Sequence, residues 1–103
     1  MPHGEAVALG LVTECDLAER LELAGTGLRR QVGSLLERLG LPVRLPVPVA
    51  PERLLAAMAS DKKNRAREIR FALPTSLGRM DEAEHWTRAA PEAALRSALE
   101  AIV

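Results

Sequence analysis

The sequence predicts a small, mainly α-helical domain of about four helices carrying one short β-hairpin, and three observations predict it. Apolar residues recur at three-and-four spacing over most of the 103 residues. Period-two alternation is confined to residues 68–73, and Pro42, Pro46, Pro48 and Pro51 crowd into one stretch that separates two helical halves. A chain of this length holds one core.

Helix one is expected from Glu5 to about Leu21, with Val7, Leu11, Cys15, Ala18 and Leu21 following one face. Its first two turns are apolar all round and predict a buried end, whereas Glu14, Asp16, Glu19 and Arg20 mark a wetter C-terminal half. Gly25-Thr26-Gly27 breaks the pattern. Leu28, Val32, Leu35, Leu36 and Leu39 restore it as helix two, which ends at Gly40 as a C-terminal cap with Pro42 close behind. Residues 41–51 lose backbone donors to proline and read as an extended linker or edge segment.

Pro51 suits the first turn of helix three, which presents Leu54, Leu55 and Met58 and runs to about Asp61. Ile69, Phe71 and Leu73 alternate with Glu68, Arg70 and Ala72 as a half-buried strand. Residues 74–78 have turn chemistry, and a weaker strand continues over 79–84 to complete the hairpin. Pro91 opens the last helix, with Leu95, Ala98, Leu99 and Ile102 facing the core.

Composition excludes several function classes. With 14 Lys plus Arg against 14 Asp plus Glu, the net charge is zero, and no global field draws the chain to nucleic acid or an anionic membrane. Phe71 and Trp86 are the whole aromatic complement, too few for a base-stacking platform. Cys15 alone allows no internal disulfide and suits a reducing cytosol, where it reads as a small packing residue. Ala6 to Val12, the longest apolar stretch, is far short of a membrane span, and no basic region precedes it as in a secretory signal, so the expected location is the cytoplasm.

Two places carry chemistry. His3, with Gly4 and Glu5, stands where the first helix begins and its amides are unpaired; an imidazole there can ligate a metal, although one histidine cannot complete a three-ligand zinc site. His85, among Glu82, Glu84 and Trp86, reads as a surface residue. Residues 61–70 hold five cations and two anions, a local excess suited to a phosphate or carboxylate, or to a solvated loop. No glycine-rich phosphate loop, nucleophile elbow or dinucleotide fingerprint accompanies them.

Four ordered segments resemble 3-dehydroquinate synthase. His3-Gly4-Glu5-Ala6-Val7-Ala8-Leu9-Gly10-Leu11-Val12 is similar to that family's HGEAVAxGM segment, with Leu11 where methionine is common. Leu36-Glu37-Arg38-Leu39-Gly40-Leu41-Pro42 resembles its L-x-x-x-G-L-P turn, and Met58-Ala59-Ser60-Asp61-Lys62-Lys63-Asn64 its M-x-x-DKK motif. Ile69 to Leu73, continuing to Gly78-Arg79, resembles its LRFVL…GxG hairpin.

The resemblance implies the C-terminal part of an enzyme whose NAD-binding α/β domain is absent here, with zinc and substrate in the cleft between the two domains. Of the family's zinc ligands, one glutamate and two histidines, the last histidine corresponds to His3. The DKK lysines carry a substrate-binding role onto Lys62 first and Lys63 as its neighbour. The implied reaction is NAD-dependent cyclisation of a seven-carbon keto sugar acid phosphate with phosphate release, a lyase step of the shikimate pathway to aromatic amino acids.

The chain alone is expected to be inactive and to bind neither zinc nor NAD tightly. Its expected partners are the NAD-binding domain of the same enzyme or a separate subunit, the anionic sugar phosphate, and a second copy through the apolar surface of helix one. A noncatalytic helical interaction module descended from such a domain, or part of a related sugar phosphate cyclase, are the alternatives.

Overall fold

The computed structural model describes residues 3–59, 70–81 and 88–103. Helix α1 spans His3–Arg20, α2 Leu28–Arg38, α3 Pro51–Ala59 and α4 Glu92–Glu100. Between α3 and α4 lie four short strands: β1 Arg70–Phe71, β2 Pro74–Ser76, β3 Arg79–Met80 and β4 Arg88–Ala89. The mainly helical class, with four helices among the described residues and one short hairpin, matches the sequence expectation.

The hairpin sits differently from its predicted place. β2 and β3 pair antiparallel, Pro74 opposite Met80 and Ser76 opposite Arg79, with an irregularity between the rungs. Its turn is Leu77-Gly78, where Gly78 takes a positive φ of 83° that only glycine adopts at low cost. Residues 74–76, expected as the turn, are therefore a strand. The alternating stretch contributes β1, whose partner is β4: Arg70 opposite Ala89 and Phe71 opposite Arg88. Asp81 N–H donates to the Leu73 carbonyl at 2.7 Å, which extends the β2–β3 pairing by one residue at its open end.

One core joins the helices. Cys15, Leu17, Ala18, Leu73 and Ala98 have no measurable exposure, and Val12, Leu95, Leu99 and Ile102 are nearly as buried. Helix two's predicted face is confirmed at Leu28, Val32 and Leu36, while Leu35 and Leu39 are exposed.

Helix ends follow their local chemistry. At the end of α2, Leu41 N–H donates to Leu36 O at 2.9 Å and Gly40 N–H to Glu37 O at 2.9 Å, around a left-handed Gly40 with φ 78°. This is the Schellman cap that Gly40 predicts. α1 ends in the same hydrogen-bond pattern, Leu23 N–H to Ala18 O at 2.9 Å and Glu22 N–H to Glu19 O at 3.0 Å, but its left-handed residue is Glu22 at φ 60°. A side chain at that position costs about 1 kcal/mol or more relative to glycine.

Charges lock α1 onto α2. Gly27, the N-cap of α2, has no side chain to cap with, and Glu19 of α1 replaces it: its carboxylate accepts from Gly27 N–H at 3.1 Å and Arg29 N–H at 2.7 Å. Asp16 is buried and paired with Arg20 one turn on and with Arg29 at 3.1 Å, a charge contact not aligned as a hydrogen bond. Arg29 also donates to the Ala101 carbonyl at 3.1 Å. The expectation that this half of α1 is the wetter one therefore fails at Asp16, because two arginines compensate its buried charge.

The proline-rich stretch 41–50 is irregular and crosses the molecule, tied by Leu45 N–H to the Ile102 carbonyl at 2.6 Å. No helix among the described residues is long and apolar enough to cross a membrane.

Candidate functional site

His3 is the first residue of α1 and is exposed. The first-turn amides behind it have no helical acceptor, and Glu5 in the same turn suits the positive end of the helix dipole. Among the described residues no three His, Cys, Asp or Glu side chains come together as a metal set. Lys62 and Lys63 lie outside the described residues, as does His85. α3 delivers the chain as far as Ala59, close in sequence before Lys62.

Helix α1 presents a face that spacing alone misjudged. At 3.6 residues per turn, His3, Ala6, Val7, Gly10, Leu11 and Glu14 fall within an arc of about 140°. Val7 is 52% and Leu11 37% exposed, and Ala6 and Gly10 are exposed as well. The opposite side, with Ala8, Leu9 and Val12, is buried. The predicted stripe through Val7, Leu11, Cys15 and Ala18 is therefore exposed at its first two members and buried at the others. Because the first turns are apolar all round, periodicity could not choose which side meets the core.

Beside this face lies an apolar cavity of about 480 Å³ between α1, α3 and α4. Leu9, Leu54, Met58, Phe71, Leu99 and Ile102 are among its walls, and Glu14 is the only acidic lining group among the described residues. Burial among those walls pushes the Glu14 carboxyl up to about 7. Sequence reading placed Glu14 on a wet surface; the signal that could have found it was its helical register with Gly10 and Ala6. Cys15, by contrast, carries no reactive thiol. Burial first, then the charges of Glu14 and Glu19, push its pKa up to about 11, which keeps it protonated and inert.

A family model described as 3-dehydroquinate synthase C-terminal matches residues 1–64. The chain belongs to that family. The match takes in both His3 and the Lys62-Lys63 pair. Among curated relatives, the 3-dehydroquinate synthase of Acaryochloris marina (strain MBIC 11017) is 39% identical over 79 residues, 77% of this chain and 21% of that protein. That of Synechocystis sp. (strain ATCC 27184 / PCC 6803 / Kazusa) is 40% identical over 78 residues, 76% of this chain and 22% of that protein. The 2-epi-5-epi-valiolone synthase of Streptomyces glaucescens is 36% identical over 102 residues, 99% of this chain and 26% of that protein.

The chain thus spans about a quarter of the length of the relatives it matches. A crystal structure of 2-deoxy-scyllo-inosose synthase complexed with carbaglucose-6-phosphate, NAD+ and Co2+ superposes on the whole chain with a TM-score of 0.86. At 16% identity, over 30% of that chain, it establishes the shared fold.

Proposed function

We propose that this chain acts as the C-terminal portion of a 3-dehydroquinate synthase. Its His3 imidazole supplies one zinc ligand, and Lys62, with Lys63 beside it, binds the anionic sugar phosphate. The observation that carries the reading is that one family match spans the exposed His3 at the head of α1 and the Lys62-Lys63 pair. Zinc, when bound, polarises a substrate hydroxyl oxygen, and NAD takes up and returns a hydride.

The chain's own work is positional. His3 holds a ring nitrogen at the head of a helix anchored in the core, and a rigid donor costs less to order than one on a loop. Lys62 offers a compact positive charge to a phosphate or carboxylate and fixes the substrate's orientation. The remaining metal ligands and the nucleotide site belong to a preceding portion, in the same polypeptide or in a partner subunit. Without it, this chain alone is inactive.

A related sugar phosphate cyclase is the second reading, favoured by the Streptomyces glaucescens match reaching 99% of the chain. The test co-expresses this chain with the preceding portion of the Acaryochloris marina enzyme, or of the Streptomyces glaucescens one, and follows phosphate release with zinc, NAD and each enzyme's own substrate. Turnover restored in the first pairing supports the synthase, and turnover confined to the second supports the relative. His3→Ala and Lys62→Ala should each remove most of the restored rate, at least about a hundredfold. Full activity in both variants, or turnover by this chain alone, refutes the site assignment.

A further inference from the structure

We propose that the cleft between α2 and the proline-rich stretch after it binds a small hydroxylated phosphomonoester, with the phosphate held by Arg30 and Arg44. The cleft has a volume of about 530 Å³, the size of an ordinary metabolite site. α2 lines it with Arg29, Arg30, Ser34 and Glu37, and Arg44 comes to it from the proline-rich stretch. This is a second site, independent of the synthase reading: Val12, the α1 residue in its wall, lies about 14 Å along the helix from His3.

The sequence around this cleft departs from what the fold alone requires. α2 carries no acidic residue in its first turn and instead begins Leu28-Arg29-Arg30, two cations at the positive end of the helix dipole. Arg29 is compensated by Asp16 and by the Ala101 carbonyl. Arg30 has no such compensation, and neither it nor Arg44 makes a hydrogen bond or ion pair among the described residues. An anion between them would satisfy two guanidinium groups and the dipole together. Gly33 is a second departure, since glycine inside a helix weakens it. A Cβ there would meet Val43 Cγ1 at 3.7 Å, an ordinary contact, so packing tolerates alanine and what the glycine leaves is depth in the cleft. Arg44 also hangs from a restrained backbone, flanked by Pro42 and Pro46 and tied by Leu45 N–H to the Ile102 carbonyl at 2.6 Å. Restraint of this kind lowers the cost of ordering a side chain on a ligand.

Glu37 narrows the class of ligand. It lines the cleft one helical turn after Ser34, and its carboxylate repels a bare anion but accepts hydrogen bonds from hydroxyl groups, which Ser34 can also engage. Val12, Gly33 and Val43 offer an apolar surface to a short carbon skeleton. A molecule with a phosphate at one end and hydroxyls beside it meets all three demands. A nucleic acid meets them less well, because none of the lining residues is an aromatic ring on which a base could stack.

The test titrates the whole chain with glycerol 3-phosphate and follows the backbone amides of Gly33 and Ser34 by NMR. Saturable shifts are expected at both, with inorganic phosphate binding about fivefold more weakly for want of hydroxyls. Arg30→Gln and Arg44→Gln should each weaken binding about tenfold, and Leu39→Ala, on exposed α2 surface, should leave it unchanged. Glu37→Gln should tighten inorganic phosphate and shrink the advantage of the ester. Circular dichroism should show all four variants folded.

Absence of saturable shifts at Gly33 and Ser34, or shifts that survive Arg30→Gln and Arg44→Gln combined, overturns the proposal. So does succinate or inorganic phosphate binding as tightly as the ester, or heparin binding there with no response to the ester. Lys62→Ala should leave the shifts intact, and their loss would mean that the anion sits at the synthase's substrate site instead. Saturable binding at this cleft in a chain that restores no turnover keeps the site and refutes the catalytic reading. Restored turnover that needs Lys62 while Gly33 and Ser34 ignore the ester does the reverse.

Discussion

The two halves of α1 differ in how completely their chemistry is used up inside the molecule. Toward the C-terminal end, Cys15, Leu17 and Ala18 are sealed in the core, Asp16 is paired with Arg20 and Arg29, and Glu19 caps the next helix. Toward the N-terminal end, Val7 and Leu11 face outward, Gly10 is uncovered, and Glu14 sits half-buried beside a cavity. One half is committed to holding this domain together, and the other leaves apolar surface and a carboxylate uncovered. A helix can thus be sealed at one end and bare along one side at the other, without any break in its run from His3 to Arg20.

The strongest way to break the comparison is to attack the committed half. Leu17→Ala empties a fully buried site and should cost roughly 3 kcal/mol in urea unfolding, while an alanine at the exposed Leu11 should change stability by less than about 1 kcal/mol. Similar losses at both sites would mean that Leu11 is already covered.

Asp16→Ala comes next. It leaves Arg20 and Arg29 beside the core without their carboxylate and should cost about 2 kcal/mol, with a smaller loss when Arg20 alone is truncated because its side chain is 42% exposed.

The smallest effect is the most diagnostic. Folding raises the Glu14 carboxyl from 4.5 to about 7, so the folded state binds its proton more tightly than the unfolded chain does. The carboxyl then costs nothing below about pH 4.5, an increasing amount as pH rises through that window, and its full penalty above about 7. Glu14→Gln should accordingly stabilise the isolated chain by about 1 kcal/mol at pH 8, allowing for solvent screening, and by nothing at pH 4. Thermal unfolding across that range checks it.

Much of this architecture was legible in the sequence because single residues dictate it. Gly40 and Pro42 ended α2, Pro51 and Pro91 marked where α3 and α4 begin, and the apolar spacing of Leu95, Ala98 and Leu99 found the buried side of α4. His3 was legible as the head of α1. What escaped was everything set by distant partners. The exposed side of α1 is chosen by where α2 and α4 pack, the burial of Asp16 by an arginine on another helix, and the pairing of Phe71 with Arg88 by the chain's return after the hairpin. Lys62 and Lys63, recognised by motif, lie outside the described residues.

The link from Arg29 to the Ala101 carbonyl spans 72 positions in the chain, and Leu45 reaches Ile102 in the same way. During synthesis α1 and α2 are therefore complete long before the groups that close over them exist. Until α4 and the residues after it are made, the core that α1 shares with Leu95, Ala98, Leu99 and Ile102 is incomplete, and non-local closure of this kind slows folding. Within these residues, the helix that bears His3 is made well before the groups at Ala101 and Ile102 to which its surroundings are tied.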